Sequence, residues 1–268
     1  MAEPAENPLL RAVRWGIHRP AYMLLTAPEP VLRAEPPHRF RLAWMGLLAW
    51  SLAWGLTLVG AWAAAWAVSG AFGVLWAPAA AVLAVHLAWP HRRAVACLAE
   101  QSGRDASRRA LVCAAYGAVL ALCLIELRPH WYRVDGYLPA WLLWLRPAAK
   151  LYRPLLLMPL WGAWAMLIVP QFCRPNESTS PAVAAMTAGC GPVAAAATMG
   201  ALLLLSILYF SYLPWWHLCV PGAAVLAAIG GGVAFCRIAG GLQRGALLAA
   251  NALTQVVFLF AYGIAQQF

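Results

Sequence analysis

Seven stretches of this chain are each apolar for about the length that a helix needs to cross a bilayer: residues 43–67, 71–89, 109–126, 154–170, 192–212, 218–236 and 245–264. A hydrocarbon core of about 30 Å is crossed by about 20 residues rising 1.5 Å each. Lipid offers the backbone no hydrogen bonds, so such runs are helical. Composition agrees: 63% of the 268 residues are hydrophobic and 10% charged, against about 25% charged in an average soluble domain. Nine acids and 19 bases cannot cover a water-soluble globule of this size, and the mean hydropathy is +0.70. These numbers exclude a soluble enzyme, a disordered chain and a secreted disulfide scaffold. The expected fold is all-α, a polytopic membrane helical bundle of six or seven transmembrane helices in residues 43–268. Residues 1–42 form a basic lead-in.

That lead-in carries Arg11, Arg14, Arg19, Arg33, Arg39 and Arg41 together with prolines that include Pro20, Pro28, Pro30, Pro36 and Pro37. It reads as cytoplasmic, with an interfacial helix over Leu9–Leu25 that mixes Arg and Trp15 with apolar residues. The first long apolar run starts near Ala43, too late for a secretory signal peptide. Spans one and two are separated by about Ser69-Gly70, which implies a tight helical hairpin. Gly189-Cys190-Gly191-Pro192 interrupts the run from Pro181, because proline ends a helix, so 181–190 is expected to be a separate short helix. Residues 128–153 include Tyr137–Leu145, apolar but too short to cross, and read as an interfacial helix.

Basic residues set the orientation. With the N-terminus inside, six bases precede span one and five lie in the 90–109 loop. Arg174, Arg237 and Arg244 bring the inside total to 14, against five outside, all in 128–153. This bias predicts a cytoplasmic N-terminus in the inner membrane. A re-entrant pair at 109–127 would move 128–153 inside and leave six crossings. The net charge of +10 is almost all arginine and lies between apolar runs, so the partners it implies are the bilayer and its anionic headgroups, with other membrane subunits, and no nucleic acid.

The residues point to no catalytic group, no metal ligand set and no cofactor. The seven cysteines show no C-x-x-C pair and mostly sit in apolar runs, where cysteine packs as a small hydrophobe. Tryptophans 50, 54, 62 and 66 fall on one side of span one, as packing surface or as a shield for a flat ring. His86, His130 and His217 lie near membrane boundaries beside tryptophans, as interfacial anchors or as haem ligands. No acid falls in the middle of a span, which argues against proton-coupled transport. Glu126 ends span three beside Arg128 as a boundary pair. Asn176-Glu177-Ser178 matches a glycosylation pattern but falls in an inside loop. Gly230-Gly231-Gly232 and Ala194–Ala197 let helices approach closely. The candidate site residues are Arg92, Arg93, Arg104, Arg108, Arg109, Arg237 and Arg244, placed to grip phosphates or lipid headgroups or simply to retain loops on one side.

The segment Cys236-Arg237-Ile238-Ala239-Gly240-Gly241-Leu242-Gln243-Arg244-Gly245, followed by Ala249–Gln255, resembles the carboxy-terminal signature of cobalamin-5′-phosphate synthases (adenosylcobinamide-GDP ribazoletransferases). Ser102–Asp105 with Ala115–Ala118, and Trp161–Met166 with Arg174-Pro175, fall in the same order. The resemblance implies a membrane transferase holding magnesium against a diphosphate. The acids that would hold it are replaced: the family's aspartate-rich stretch reads His86-Leu87-Ala88-Trp89-Pro90-His91-Arg92-Arg93, and later acid positions read Gly245, Ala252 and Gln255. The Arg-rich lead-in and the Arg104–Tyr116 junction are also similar to Yip-type membrane domains. Three functions follow as expectations: a non-catalytic scaffold or accessory subunit of a membrane assembly, a transferase of the resembled family, and a haem- or quinone-binding subunit.

Overall fold

In a computed structural model the chain is all-helical, and residues 13–69, 76–88, 91–126, 152–177, 179–210 and 218–267 are described. A π-helical turn, Arg14–His18, leads into α1 (Arg19–Thr26) and α2 (Glu29–Ala34), and a 3-10 turn at Pro37–Phe40 precedes α3 (Ala43–Ser69). There follow α4 (Ala77–Ala88), α5 (His91–Gln101), α6 (Ala106–Glu126), α7 (Tyr152–Phe172), α8 (Pro181–Gly189) and α9 (Pro192–Phe210). A helix broken by a π-turn at Ala227–Gly231 comprises α10 (Cys219–Leu226) and α11 (Gly232–Ile238), and α12 (Arg244–Ala265) closes the chain. No strand occurs among the described residues.

Among the described residues six helices are long and apolar enough to cross a membrane: α3, α6, α7, α9, α10–α11 and α12. The chain is therefore a multi-pass membrane bundle. The segment expected as span two is shorter, 12 residues or about 18 Å of helix. Proline and glycine cause the early starts and stops elsewhere: α8 is the expected separate helix, opening at Pro181 and ending before Pro192. Span three, expected over 109–126, is one unbroken helix of 21 residues, α6, and not the alternative re-entrant pair. The Gly70 turn, the interfacial stretch over 128–151, residues 9–12 of the lead-in helix, His130, His217 and the Glu126–Arg128 side-chain pair lie outside the described residues.

The core is the contact of α7 with α12. In these two helices 78% and 67% of the most apolar stretch is buried, against 22–33% in the other four, whose apolar surface is left for lipid. Close approach depends on small residues. A Cβ at Gly162 of α7 would stand 2.7–2.8 Å from the Asn251 and Gln255 side chains of α12, and one at Gly55 of α3 would stand 2.7 Å from the Leu156 carbonyl. Of the glycine triplet, Gly231 and Gly232 meet Leu253 and Val169, whereas Gly230 faces open space. Several buried polar atoms in this core find partners: Trp161 Nε1 donates to Ser206 Oγ (3.1 Å), Trp164 Nε1 to the Ala195 carbonyl (3.0 Å), and Gln255 Nε2 to Asn251 Oδ1.

In the tryptophan stripe of α3, Trp62 is buried and Trp50, Trp54 and Trp66 are half-buried. Trp50 Nε1 donates to the His18 carbonyl, the Trp54 ring lies 5.6 Å from that of His91, and Trp62 stacks on Trp66 at 5.3 Å.

Candidate functional site: a polar cleft at the foot of α12

The turn into α12 is built by two glycines. Gly240 and Gly241 have φ of +73° and +146°, the left-handed region where a side chain is strained. Gly241 N–H donates to the Cys236 carbonyl (2.8 Å) and Gly240 N–H to the Arg237 carbonyl (3.2 Å), a Schellman closure of α11. Asn176 Nδ2 donates to the Gly240 carbonyl (2.7 Å) and Thr179 Oγ1 to that of Leu242 (2.7 Å), which ties the 173–180 segment to the turn. Asn176 is thereby a structural residue.

Arg244, the first residue of α12, is 4% exposed. Its Nε donates to the Leu24 carbonyl (2.5 Å), Nη1 to Ala27 (2.5 Å) and Nη2 to Met23 (3.2 Å). Met23 and Leu24 stand in the last turn of α1 and Ala27 follows it, and the Met23 carbonyl also accepts from the Ala27 N–H (2.9 Å). Arg93 Nη1 reaches the Thr26 carbonyl at 3.4 Å. A cation at a helix C-terminus also meets the negative end of the helix dipole. Arg244 therefore clamps the lead-in onto the bundle, with Glu29 at 3.8 Å as its nearest carboxylate.

Beside this clamp opens a cavity of about 510 Å³. It takes Glu29 and Arg33 from α2, four residues apart and hence on one face, paired at 3.9 Å. It takes Arg93, Cys97 and Glu100 from α5, at helical spacing on one face. The 173–180 segment supplies Glu177 and Ser180, and the start of α12 supplies Gln243, Arg244 and Gly245. Ser180 and Gln243 are the residues preceding α8 and α12, and neither caps its own helix with its side chain. Two helix N-termini, with their unpaired N–H groups and positive dipole ends, thus border one cleft. Burial, with Glu100 nearby, pushes the Cys97 thiol up to about 11, so it stays a neutral lining group.

Of the seven arginines expected at a site, the structure brings Arg93 and Arg244 to this cleft. Arg92, Arg104, Arg108 and Arg237 are exposed elsewhere and Arg109 is half-buried on α6. The carboxylates Glu29, Glu100 and Glu177, with Arg33 and Ser180, were not expected. The i, i+4, i+7 spacing of Arg93, Cys97 and Glu100 was the readable signal, and Ser180-Pro181 has the form of a helix start.

A second polar cluster lies between α3, α4, α5 and α6. His86 and His91 are stacked with ring centroids 4.5 Å apart, and His86 Nε2 lies 3.1 Å from the Tyr116 hydroxyl. Rings stacked on each other leave no space for a haem between them. Burial, with His86 alongside, holds the His91 imidazole well below its ordinary range. His91 opens α5, at no helical spacing from His86 in α4, so periodicity did not pair them. No group of three or more His, Cys, Asp or Glu able to hold a metal occurs among the described residues.

The positions where the resembled transferase signature has acids do not share one location. Gly245 lines the cleft, whereas Gln255 sits ten residues on, about 15 Å along α12, packed at Gly162 in the core. No family model, no curated protein and no solved structure matches this chain.

Proposed function

We propose that this chain is a non-catalytic subunit of the cytoplasmic (inner) membrane, a scaffold or accessory component, that holds a phosphate-bearing group in the cleft at the foot of α12. The observation that carries the reading is the meeting of the half-buried Arg93 guanidinium with two helix N-termini on one cavity. Guanidinium groups and helix N-termini are the two protein features best suited to phosphate oxygens. The cleft lies where α12 begins its apolar run, which is the depth of lipid headgroups. The 14-to-5 bias of bases supports a cytoplasmic position for this end of the bundle.

The test is a thermal shift of the purified full chain in detergent, titrated with inorganic phosphate and with a short-chain phosphatidic acid. A ligand that binds only the folded state raises the melting temperature with concentration. Arg93→Gln should remove the rise, and Arg237→Gln, an exposed arginine outside the cleft, should leave it intact. No rise in the wild type, or an equal loss in both variants, overturns the proposal.

A further inference from the structure

We infer that the ligand of this cleft carries both signs of charge, a phosphate joined through a short linker to a primary ammonium, as in a phosphoethanolamine group. The inference rests on the phosphate reading above. Its ground is the lining itself, in which three guanidinium groups (Arg33, Arg93, Arg244) meet three carboxylates (Glu29, Glu100, Glu177). A bare anion would face as much repulsion as attraction.

The charges are not used up among themselves. Glu29 stands between Arg33 at 3.9 Å and Arg244 at 3.8 Å, and Arg244 spends its donors on α1 carbonyls. Glu100 and Glu177 are exposed and form no ion pair among the described residues. Arg93 and Glu100 stand two turns apart on one face of α5, about 10 Å along its axis. Long side chains at that separation can hold the two ends of one small ligand. The phosphate end falls to Arg93 and the helix N-termini. Ser180, 4% exposed and lining the same cavity, has a hydroxyl with no partner among the described residues, a further donor for a phosphate oxygen. The ammonium end falls to Glu100 and Glu177.

The lining also selects the kind of cation. A quaternary ammonium is recognised on aromatic faces, and no aromatic side chain lines this cleft among the described residues. A primary ammonium has three N–H donors, and carboxylates accept them in charge-assisted bonds.

The group can come from phosphatidylethanolamine or from a free aminoalkyl phosphate. The full chain in detergent is titrated with O-phosphoethanolamine, O-phosphocholine and inorganic phosphate. O-Phosphoethanolamine should bind at least tenfold more tightly than the other two. Glu100→Gln together with Glu177→Gln should erase that preference by weakening O-phosphoethanolamine, while inorganic phosphate, relieved of two repelling carboxylates, should bind at least as tightly as to the wild type. Both positions are exposed, so the fold does not depend on them. Equal affinity for phosphoethanolamine and phosphate overturns the zwitterion inference and leaves the phosphate reading standing. No binding of any of the three overturns both. In nanodiscs, O-phosphoethanolamine competed away by phosphatidylethanolamine but not by phosphatidylcholine identifies the lipid as the source, and competition by neither identifies the free compound.

Discussion

Arg244 shows how one side chain can fasten a segment that the membrane does not hold. The lead-in is short and mixed in polarity, and its apolar contacts with the bundle come from Ala21, Met23, Leu24, Leu32 and Phe40. Three donors from a single buried guanidinium satisfy the carbonyl end of α1. Bonds of this kind contribute about 1.5–3 kcal/mol each when a charged group takes part, and their loss deprives the buried Leu24 carbonyl of this partner. Arg244→Ala should therefore lower stability by about 3 kcal/mol, and Arg244→Lys should recover less than half, since an ammonium cannot spread three bonds over that fork. Chemical denaturation in detergent measures both. A loss below about 0.5 kcal/mol, the range of ordinary surface changes, would show that the clamp does not fasten α1. The charge of Arg244 could be read in the sequence, where it counts among the arginines at loop ends. Its role could not, because the carbonyls it meets lie more than two hundred residues earlier in the chain.

At the scale of elements, the apolar runs translate almost directly into helices. The run expected over 245–264 is α12 at Arg244–Ala265, and that over 192–212 is α9 at Pro192–Phe210. Hydrophobicity reports immersion in lipid, and length reports crossing, so these were legible. Which helices form the centre was not, because a membrane bundle is apolar inside and out. The polar residues of α12, Asn251, Thr254 and Gln255, mark a face turned away from lipid. The meeting of α4 and α5 was also opaque, since His86 and His91 stack from two different helices and helical spacing does not relate them. That meeting point should respond to pH. His91 is neutral in the fold and has a depressed folded-state pKa, against about 6.5 when unfolded. Its contribution is then fully present above about pH 6.5 and is lost as pH falls, by about 1.4 kcal/mol per unit. The melting temperature should be level from about pH 7.5 to 8.5 and decline below about 6.5, and His91→Phe should make the decline shallower. A His91→Phe profile that runs parallel to the wild type would rule out this origin.

The whole molecule gathers its loops by side. Arg244 and Arg93 bind α1, Asn176 and Thr179 bind the 240–242 turn, and Glu177 and Glu100 border one cavity. The lead-in, α5, the 173–180 segment and the start of α12 therefore share one end of the bundle. These are the segments that the count of bases assigns to one side of the membrane, and this agreement comes from packing rather than charge. It requires the chain to return between the end of α3 and the start of α5, although α4 alone is too short to cross. A labelling experiment decides the matter. In a background with the native cysteines replaced by alanine, single cysteines are placed as Glu29→Cys, Glu100→Cys and Glu177→Cys. In sealed, right-side-out vesicles an impermeant maleimide should spare all three, and in inverted vesicles it should label all three. Labelling of Glu100→Cys from the side opposite to Glu29→Cys would mean that α3 and α4 do not return the chain, and the cleft could not then exist as one site. Labelling of all three from the outer face would keep the cleft and reverse the orientation, because packing fixes which segments meet while the bias of basic residues alone fixes which way the bundle points.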